Sequence, residues 1–280
     1  MHSVLITGGT GAFGTAFTER LLRDGLASRI CIFSRGEYRQ FTMRKQFKDD
    51  SRLRFFIGDV RDRWRLTRAM ESCDTVVHAA ALKRIEVGHY NPIEMVKTNI
   101  DGAINVIEAA QDAKVKKVVA LSSDKAFQPV SPYGQSKALA ESIFLSANNF
   151  YGRKAPLFAV VRYGNVWNST GSVGPVWSQM LEDGETHVPI TDPDCTRFFM
   201  RMDQAVDLVL QTIAVMPDEI AIPTLPAYRL GDLAEAMGAK TITVGLPKWE
   251  KLDESMNEHL CSRTARRMTI DELKRALTDG

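Results

Sequence analysis

Cysteine is scarce in this sequence: Cys31, Cys73, Cys195 and Cys261 stand far apart, with no Cys-x-x-Cys pair among them. That spacing argues against a disulfide scaffold and a structural zinc site, and it predicts unbridged thiols in a reducing, cytoplasmic compartment. Long apolar runs are missing as well. No stretch approaches the roughly 18 apolar residues of a membrane span, and Ser3-Val4-Leu5-Ile6-Thr7 lacks the basic region and cleavage site of a signal peptide. Histidine is sparse: His2, His78, His89, His187 and His259 form no i,i+4 pair, so no metal is expected. An excess of one charge is absent too, since 36 basic residues face 34 acidic ones for a net charge of +2. The global field therefore favours neither nucleic acid nor an anionic membrane. No P-loop or nucleophile elbow is present.

What remains is an ordinary globular composition, 44% hydrophobic and 25% charged over 280 residues, which is enough to bury a full core and excludes disorder. Short apolar runs at 3–7, 29–34, 53–57, 74–79, 117–122 and 157–163 read as strands. Between them, 13–24, 38–47, 62–72, 92–112 and 134–150 carry apolar residues at helical spacing, most clearly Ile100, Ile104, Ile107 and Ala110. This β-α-β-α order predicts an α/β fold, a Rossmann-like doubly wound parallel sheet with ligands at the carboxyl ends of its strands. After Tyr163 the chain turns to Gly/Pro/Ser-punctuated segments, including Gly164, Gly171, Gly174 and Pro175, then helices near 203–216, 229–237 and 269–277. The expected division is a dinucleotide-binding domain at 1–165 and a smaller substrate-binding lobe at 166–280, with 196–225 a candidate to pack back on the first domain.

Thr7-Gly8-Gly9-Thr10-Gly11-Ala12-Phe13-Gly14 follows the first strand and opens the first helix. Glycines at 8, 11 and 14 let the backbone turn tightly, approach a pyrophosphate and pack helix on strand, with the helix N-terminus facing the phosphates. At the end of the second strand an NAD enzyme has an acid for the ribose 2′-hydroxyl. Here the chain reads Phe33-Ser34-Arg35, and a hydroxyl beside a guanidinium suits a 2′-phosphate, so NADP is expected ahead of NAD. Arg44 and Lys45 fit a solvated helix face. Asp59 and Val60, after the third strand, are placed to meet the adenine, and Ala79, Ala80 and Ala81 are small enough to let a cofactor pass.

Within Ser122-Ser123-Asp124-Lys125-Ala126-Phe127-Gln128-Pro129-Val130-Ser131-Pro132-Tyr133-Gly134-Gln135-Ser136-Lys137 lie two hydroxyls, a carboxylate, a tyrosine and two lysines just after an apolar run. Tyr133 and Lys137 are four apart, on one face of a helix beginning there. Positive charge from Lys137 and an oxidised nicotinamide favours the phenolate, making Tyr133 a base near neutral pH, and Ser123 can share the substrate proton. Asp124-Lys125 is either part of this site or a surface ion pair. Asn99 either helps hold the site and cofactor or is a buried structural amide.

At these residues the chain resembles the extended short-chain dehydrogenase/reductase family, and more narrowly the inverting UDP-N-acetylglucosamine 4,6-dehydratases of polysaccharide biosynthesis, of the pseudaminic-acid pathway type. The matching words are TGGTGAFG (7–14), FSRGE (33–37), RFFIGDVRD (54–62), HAAALK (78–83), KTNIDGAINVIEAA (97–110), LSSDKA (121–126), YGQSK (133–137), SANNF (146–150), VRYGNV (161–166), GSVGP (171–175), PITD (189–192) and TRFFMRMDQAV (196–206). The resemblance spans about residues 3–254, and Asp124-Lys125 is its sharpest element, because retaining sugar-nucleotide dehydratases carry Asp-Glu there.

The resemblance implies a lyase chemistry. Tyr133 takes the proton of the sugar 4-hydroxyl as C4 is oxidised by NADP; the resulting ketone acidifies C5–H. Lys125, neutral, removes that proton, its pKa lowered by burial and by Lys137, and Asp124 protonates the departing 6-hydroxyl. Ser123, Tyr133 and Lys137 complete the catalytic set, and Lys83, Asn165, Arg197, Lys248 and Glu250 fall on the nucleotide-sugar side. A homo-oligomer is also implied.

Two departures leave the sugar and the nucleotide open. Thr170 stands at the family's arginine in the stretch after GNV, and the family's R-P-G-E-K-L-H-E reads Pro247-Lys248-Trp249-Glu250-Lys251-Leu252-Asp253-Glu254. Two arginines expected around a diphosphate are thus absent. Lys248 offers a point charge but no bidentate fork, and Trp249 suits either a base or the core. An epimerase or reductase of the same superfamily, and a non-catalytic NADP-binding sensor, stay as rival readings.

Overall fold

The computed structural model describes residues 1–150, 156–167, 169 and 171–278. Six parallel strands form the central sheet: β1 (Ser3–Thr7), β2 (Arg29–Ser34), β3 (Leu53–Ile57), β4 (Thr75–His78), β5 (Lys117–Ser123) and β6 (Leu157–Tyr163), in the order β3-β2-β1-β4-β5-β6. Apart from edge strand β3, whose Arg54 and Ile57 are exposed, their apolar runs are near-continuous because helices cover both faces. Alternate residues divide between two cores: Val4, Ile6, Ile30, Ile32, Val119 and Val161 on one face, Leu5, Cys31, Phe33, Val76, Val118 and Val160 on the other.

The helices of the sheet region are α1 (Ala12–Arg23), α2 (Glu37–Gln46), α3 (Arg63–Met70), α4 (Ile85–Tyr90), α5 (Pro92–Val96), α6 (Gly102–Asp112) and α7 (Pro132–Phe150). One turn of π-helix, Lys97–Asp101, joins α5 to α6. The predicted helix at 92–112 is therefore three pieces, and the stripe differs from the expected one: Ile104 is 38% exposed, while Ala103, Val106, Ile107, Ala109 and Ala110 are buried. The buried alanines Ala103, Ala109 and Ala110 let α6 lie close against α3, and Ile104 is left at the rim.

Beyond β6 come α8 (Val173–Glu182), β7 (His187–Ile190), β8 (Thr196–Phe198), α9 (Met202–Val215), β9 (Ala227–Arg229), α10 (Leu230–Ala236), β10 (Lys240–Thr243) and α11 (Ile270–Thr278). β7 pairs with β10 and β8 with β9. Sequence reading missed α4, α8 and all four short strands. Gly174 and Pro175 looked like loop, but they fall in the first turn of α8, where proline costs no hydrogen bond. A third core of Trp167, Trp177, Phe199, Tyr228, Leu233 and Leu273 belongs to this region. α9 instead adds Ala205, Val206, Val209 and Ile213 to the sheet core, beside α1.

One buried ion pair ties the sheet to the cleft behind it. Arg162 on β6 and Glu141 on α7 are 8% and 4% exposed, and the guanidinium meets the carboxylate at 2.9 and 2.5 Å while also donating to the Met256 carbonyl. Glu141→Ala leaves that guanidinium buried without its counter-ion, so an expected loss of about 3–5 kcal/mol should appear in urea unfolding. A loss below about 1 kcal/mol would mean that water or another carboxylate replaces Glu141.

Candidate active site

Between β1 and β4 the strand order reverses, and the glycine turn sits over that crevice. Gly8 has φ +65°, and a Cβ there would stand 2.9 Å from the Ala80 backbone, so glycine is required by both conformation and space. The first turn of α1 has no side-chain cap, which leaves the amides of Ala12, Phe13 and Gly14 pointing out of the helix end toward an anion. Thr7 is fully buried, its Oγ1 2.8 Å from His78 Nδ1 and accepting from Ala80 N at 3.2 Å. It shapes the crevice from beneath. Burial, aided by Lys137, drives the His78 pKa down to about 3, so this imidazole is neutral.

At the rim, Ser34 Oγ accepts from Gln40 Nε2 at 3.0 Å, and Arg35, 60% exposed, lies 3.9 Å from Asp59. Asp59 is held more closely by Arg61 at 2.8 Å. Val60 is buried under α6, and Ala79 to Ala81 are half-buried along the crevice. This lining, of small residues and free helix amides with a guanidinium at the edge, fits a nicotinamide dinucleotide. Asn99 donates to the Leu82 carbonyl and Ser136 Oγ, both at 2.9 Å, and accepts from Leu82 N at 2.8 Å. It is a buried amide that clamps the loop after β4 onto α7, and the π-helical turn orients it for that task.

At the end of β5, Ser123 caps a single 3₁₀ turn, Asp124–Ala126. A Cβ on Gly134 would lie 2.3 Å from the Lys125 carbonyl, so the glycine lets α7 press against this turn. That approach brings the Tyr133 phenol near the Ser123 hydroxyl. Ser123 Oγ donates to Asp124 Oδ1 at 2.8 Å, and Lys125 Nζ donates to the same oxygen at 3.2 Å and to Asn165 Oδ1 at 3.3 Å. Asp124 is fully buried, and its Oδ2 has no hydrogen-bond partner. Asp124-Lys125 is therefore not a surface pair.

Two expectations about charge are corrected. Lys125 was expected neutral, but although burial pulls its pKa down, Asp124 and Glu254 outweigh that, and the net shift is upward. Lys137 was expected to assist Tyr133. Its ammonium instead donates to the Leu121 carbonyl at 2.6 Å, and burial, partly offset by Glu141, takes its pKa to about 8. Burial raises the Tyr133 pKa, and the cation that opposes the rise is Lys125, together with the Ser123 hydroxyl.

A cleft opens from this turn toward the C-terminal region, lined by Lys125, Ser131, Asn165, Trp177, Thr191 and Trp249 among others. Arg197 is 6% exposed; its Nη1 donates to the Thr196 and Leu252 carbonyls and its Nη2 lies 3.4 Å from Glu250. Burial, with Arg84 and Lys125 nearby, lowers the Lys83 pKa. Lys248 is exposed and outside the cleft lining, where Lys251 stands instead. Trp249 lines the cleft and rests on His89 at 4.4 Å between ring centroids. Thr170 lies outside the described residues. Sequence reading missed Lys251 and Glu254 as site residues, although both match the family's R-P-G-E-K-L-H-E letter for letter; the departures in that word drew attention away from its agreements.

Comparison with known proteins agrees with this geometry. The model of a family described as polysaccharide biosynthesis protein matches residues 4–270. The chain is 44% identical over 257 residues to the inverting UDP-N-acetylglucosamine 4,6-dehydratase of Campylobacter jejuni subsp. jejuni serotype O:2, covering 91% of this chain and 77% of that one. It is 39% identical over 239 residues to the UDP-glucose 4-epimerase of Rickettsia conorii, covering 84% and 70%. Among solved structures, Pen from Bacillus thuringiensis aligns over 100% of this chain and 98% of its own, with TM-score 0.93 and 31% identity.

Proposed function

This chain belongs to the polysaccharide biosynthesis protein family, within the extended short-chain dehydrogenases/reductases, and from that premise we propose that it is a nucleotide-sugar 4,6-dehydratase that inverts C5. Its substrate resembles UDP-N-acetylglucosamine, and its product is a 4-keto-6-deoxy sugar nucleotide. The carrying observation is the pair of fully buried Asp124 and half-buried Lys125, 3.2 Å apart, with Lys125 lining the cleft. A 4-epimerase has no use for an acid and a base beside C5 and C6.

A nicotinamide dinucleotide bound over the glycine turn supplies a two-electron acceptor for C4 that is regenerated when C6 is reduced. The chain's residues move the protons. Tyr133, beside Ser123, accepts the proton of the 4-hydroxyl. Lys125 begins cationic, so the reactive form requires its proton to pass to Asp124: an N–H bond breaks, an O–H bond forms, and both charges vanish. Neutral Lys125 then takes the C5 proton while Asp124 gives its own to the leaving 6-hydroxyl oxygen, and water departs. The elimination returns the pair to its starting charges. Asn165 holds Lys125 Nζ at the mouth of the cleft throughout.

The finer cofactor assignment is NADP, supported by Ser34 and exposed Arg35 at the end of β2. Arg35→Ser should weaken NADP binding about tenfold or more, the loss of one charged hydrogen bond, and leave NAD binding unchanged in calorimetric titrations. Equal losses for both dinucleotides would remove the 2′-phosphate from Arg35. The free thiols Cys31 and Cys73, buried 3.8 Å apart, support a reducing cytoplasmic setting. Mass analysis after incubation with UDP-N-acetylglucosamine and NADP tests the reading itself: loss of one water is expected, and an isomer of unchanged mass would favour the epimerase.

A further inference from the structure

The segment after β10 crosses the cleft as a strap and is pinned at several points. Thr196 N donates to the Leu252 carbonyl at 2.9 Å, Lys251 Nζ donates to the Phe127 carbonyl at 3.0 Å, and Glu254 N donates to Ser262 Oγ at 2.9 Å. Ser262 N returns a bond to the Glu254 carbonyl at 2.8 Å, and Ser262 Oγ lies 2.6 Å from Thr196 Oγ1. These bonds hold the Glu254 carboxylate in one place, 2% exposed, with Oε1 3.4 Å from Lys125 Nζ and Oε2 2.8 Å from Lys251 Nζ. Lys125 thus lies between two buried carboxylates, one from its own turn and one from the strap.

We propose that Glu254 is a positioning residue that fixes the Lys125 ammonium beside Asp124 and sets how readily Lys125 gives up its proton. The proposal rests on the reading of Lys125 as the C5 base. The two carboxylates are not equivalent. Burial alone would raise the Glu254 pKa, but Lys125, Lys251 and Arg197 together hold it below the usual carboxylate range, so Glu254 stays anionic and is a poor proton acceptor. Each carboxylate has a buried oxygen without a hydrogen-bond partner, Asp124 Oδ2 and Glu254 Oε2, but Glu254 Oε2 lies 2.8 Å from the Lys251 ammonium while Asp124 pairs with Lys125, so Asp124 is the group left to receive the proton. Glu254 instead opposes the transfer by stabilising the cation, and Lys251 tempers that opposition by sharing its charge.

The other titratable groups facing Lys125 are Tyr133 from α7, Arg197 from β8, Tyr228 from β9 and Lys83 from the loop after β4. None of them is a permanent anion at neutral pH, so the strap carboxylate is the adjustable part of the balance. The signs follow. Removing the Glu254 charge lowers the Lys125 pKa and extends its neutral form to lower pH. Removing the Lys251 charge does the reverse.

The test reads Lys125 directly. Cyanate reacts only with neutral amines, and Lys125 lines the cleft, so carbamylation followed by peptide mass spectrometry across pH gives its titration midpoint in the intact protein. Glu254→Gln should move that midpoint down by about one pH unit or more, and Lys251→Met should move it up. With UDP-N-acetylglucosamine as substrate, the acid limb of the kcat profile should move with the midpoint in each variant, about tenfold in rate per unit of displacement. Unchanged midpoints, shifts of the same sign in both variants, or a midpoint that moves without the acid limb would overturn the proposal. If Glu254→Gln fails to fold, the upward shift in Lys251→Met still decides it. Wild-type protein that turns over no nucleotide sugar, yet shows both opposed midpoint shifts, would sink the dehydratase reading and uphold the hold of Glu254 on Lys125.

Discussion

Lys125→Met is expected to lower dehydration of UDP-N-acetylglucosamine by about 10³-fold, the range for loss of a positioned acid or base, while oxidation at C4 persists. The variant should therefore accumulate reduced nicotinamide, read by its absorbance, because elimination is blocked after the ketone forms. Methionine keeps the length of the side chain but not its proton-accepting amine. The buried carboxylates do not both lose their cations, since Glu254 retains Lys251 at 2.8 Å, and Asp124 can take up a proton. Retained C5–H exchange in Lys125→Met would remove Lys125 from its role.

Tyr133→Phe should fall by a similar factor for a different reason. Loss of the phenol removes the acceptor of the 4-hydroxyl proton, so the ketone never forms and C5–H never becomes acidic. Neither reduced nicotinamide nor deuterium incorporation is expected from this variant, and that contrast separates the two roles. The fold should be undisturbed, because the change removes a single oxygen and Ser123 Oγ keeps Asp124 Oδ1 as its acceptor. If Tyr133→Phe still accumulated reduced nicotinamide, a different group, with Ser123 the nearest, would be taking the proton.

Much of this was legible in the residues. Five of the six sheet strands were readable because they are buried on both faces and therefore written as apolar runs, as in Val118-Val119-Ala120-Leu121, while β3, at the sheet edge with Arg54 and Ile57 exposed, was readable from Leu53, Phe55 and Phe56. Strands of three or four residues such as β8 and β9 carry too few positions to show a period, and β10 is fully exposed, so the C-terminal region read as loop. The site's residue types were readable from Ser123, Tyr133 and Lys137 in sequence. Their charge states were not. Lys125 is held cationic by its neighbour Asp124 and by Glu254, and Glu254, distant in the chain, arrives only through the strap pinned to Thr196 and Ser262. Lys137 likewise turns to the Leu121 carbonyl and to Glu141, contacts that no spacing rule announces.

The central claim is that this chain removes water across C5 and C6 and returns the C5 proton from the opposite face. The direct measurement is proton NMR and mass analysis of UDP-N-acetylglucosamine after incubation with the protein and NADP in deuterated water. The account predicts a product lighter by one water, carrying deuterium at an inverted C5. A 4-epimer or recovered substrate with ordinary hydrogen at C5 would contradict it.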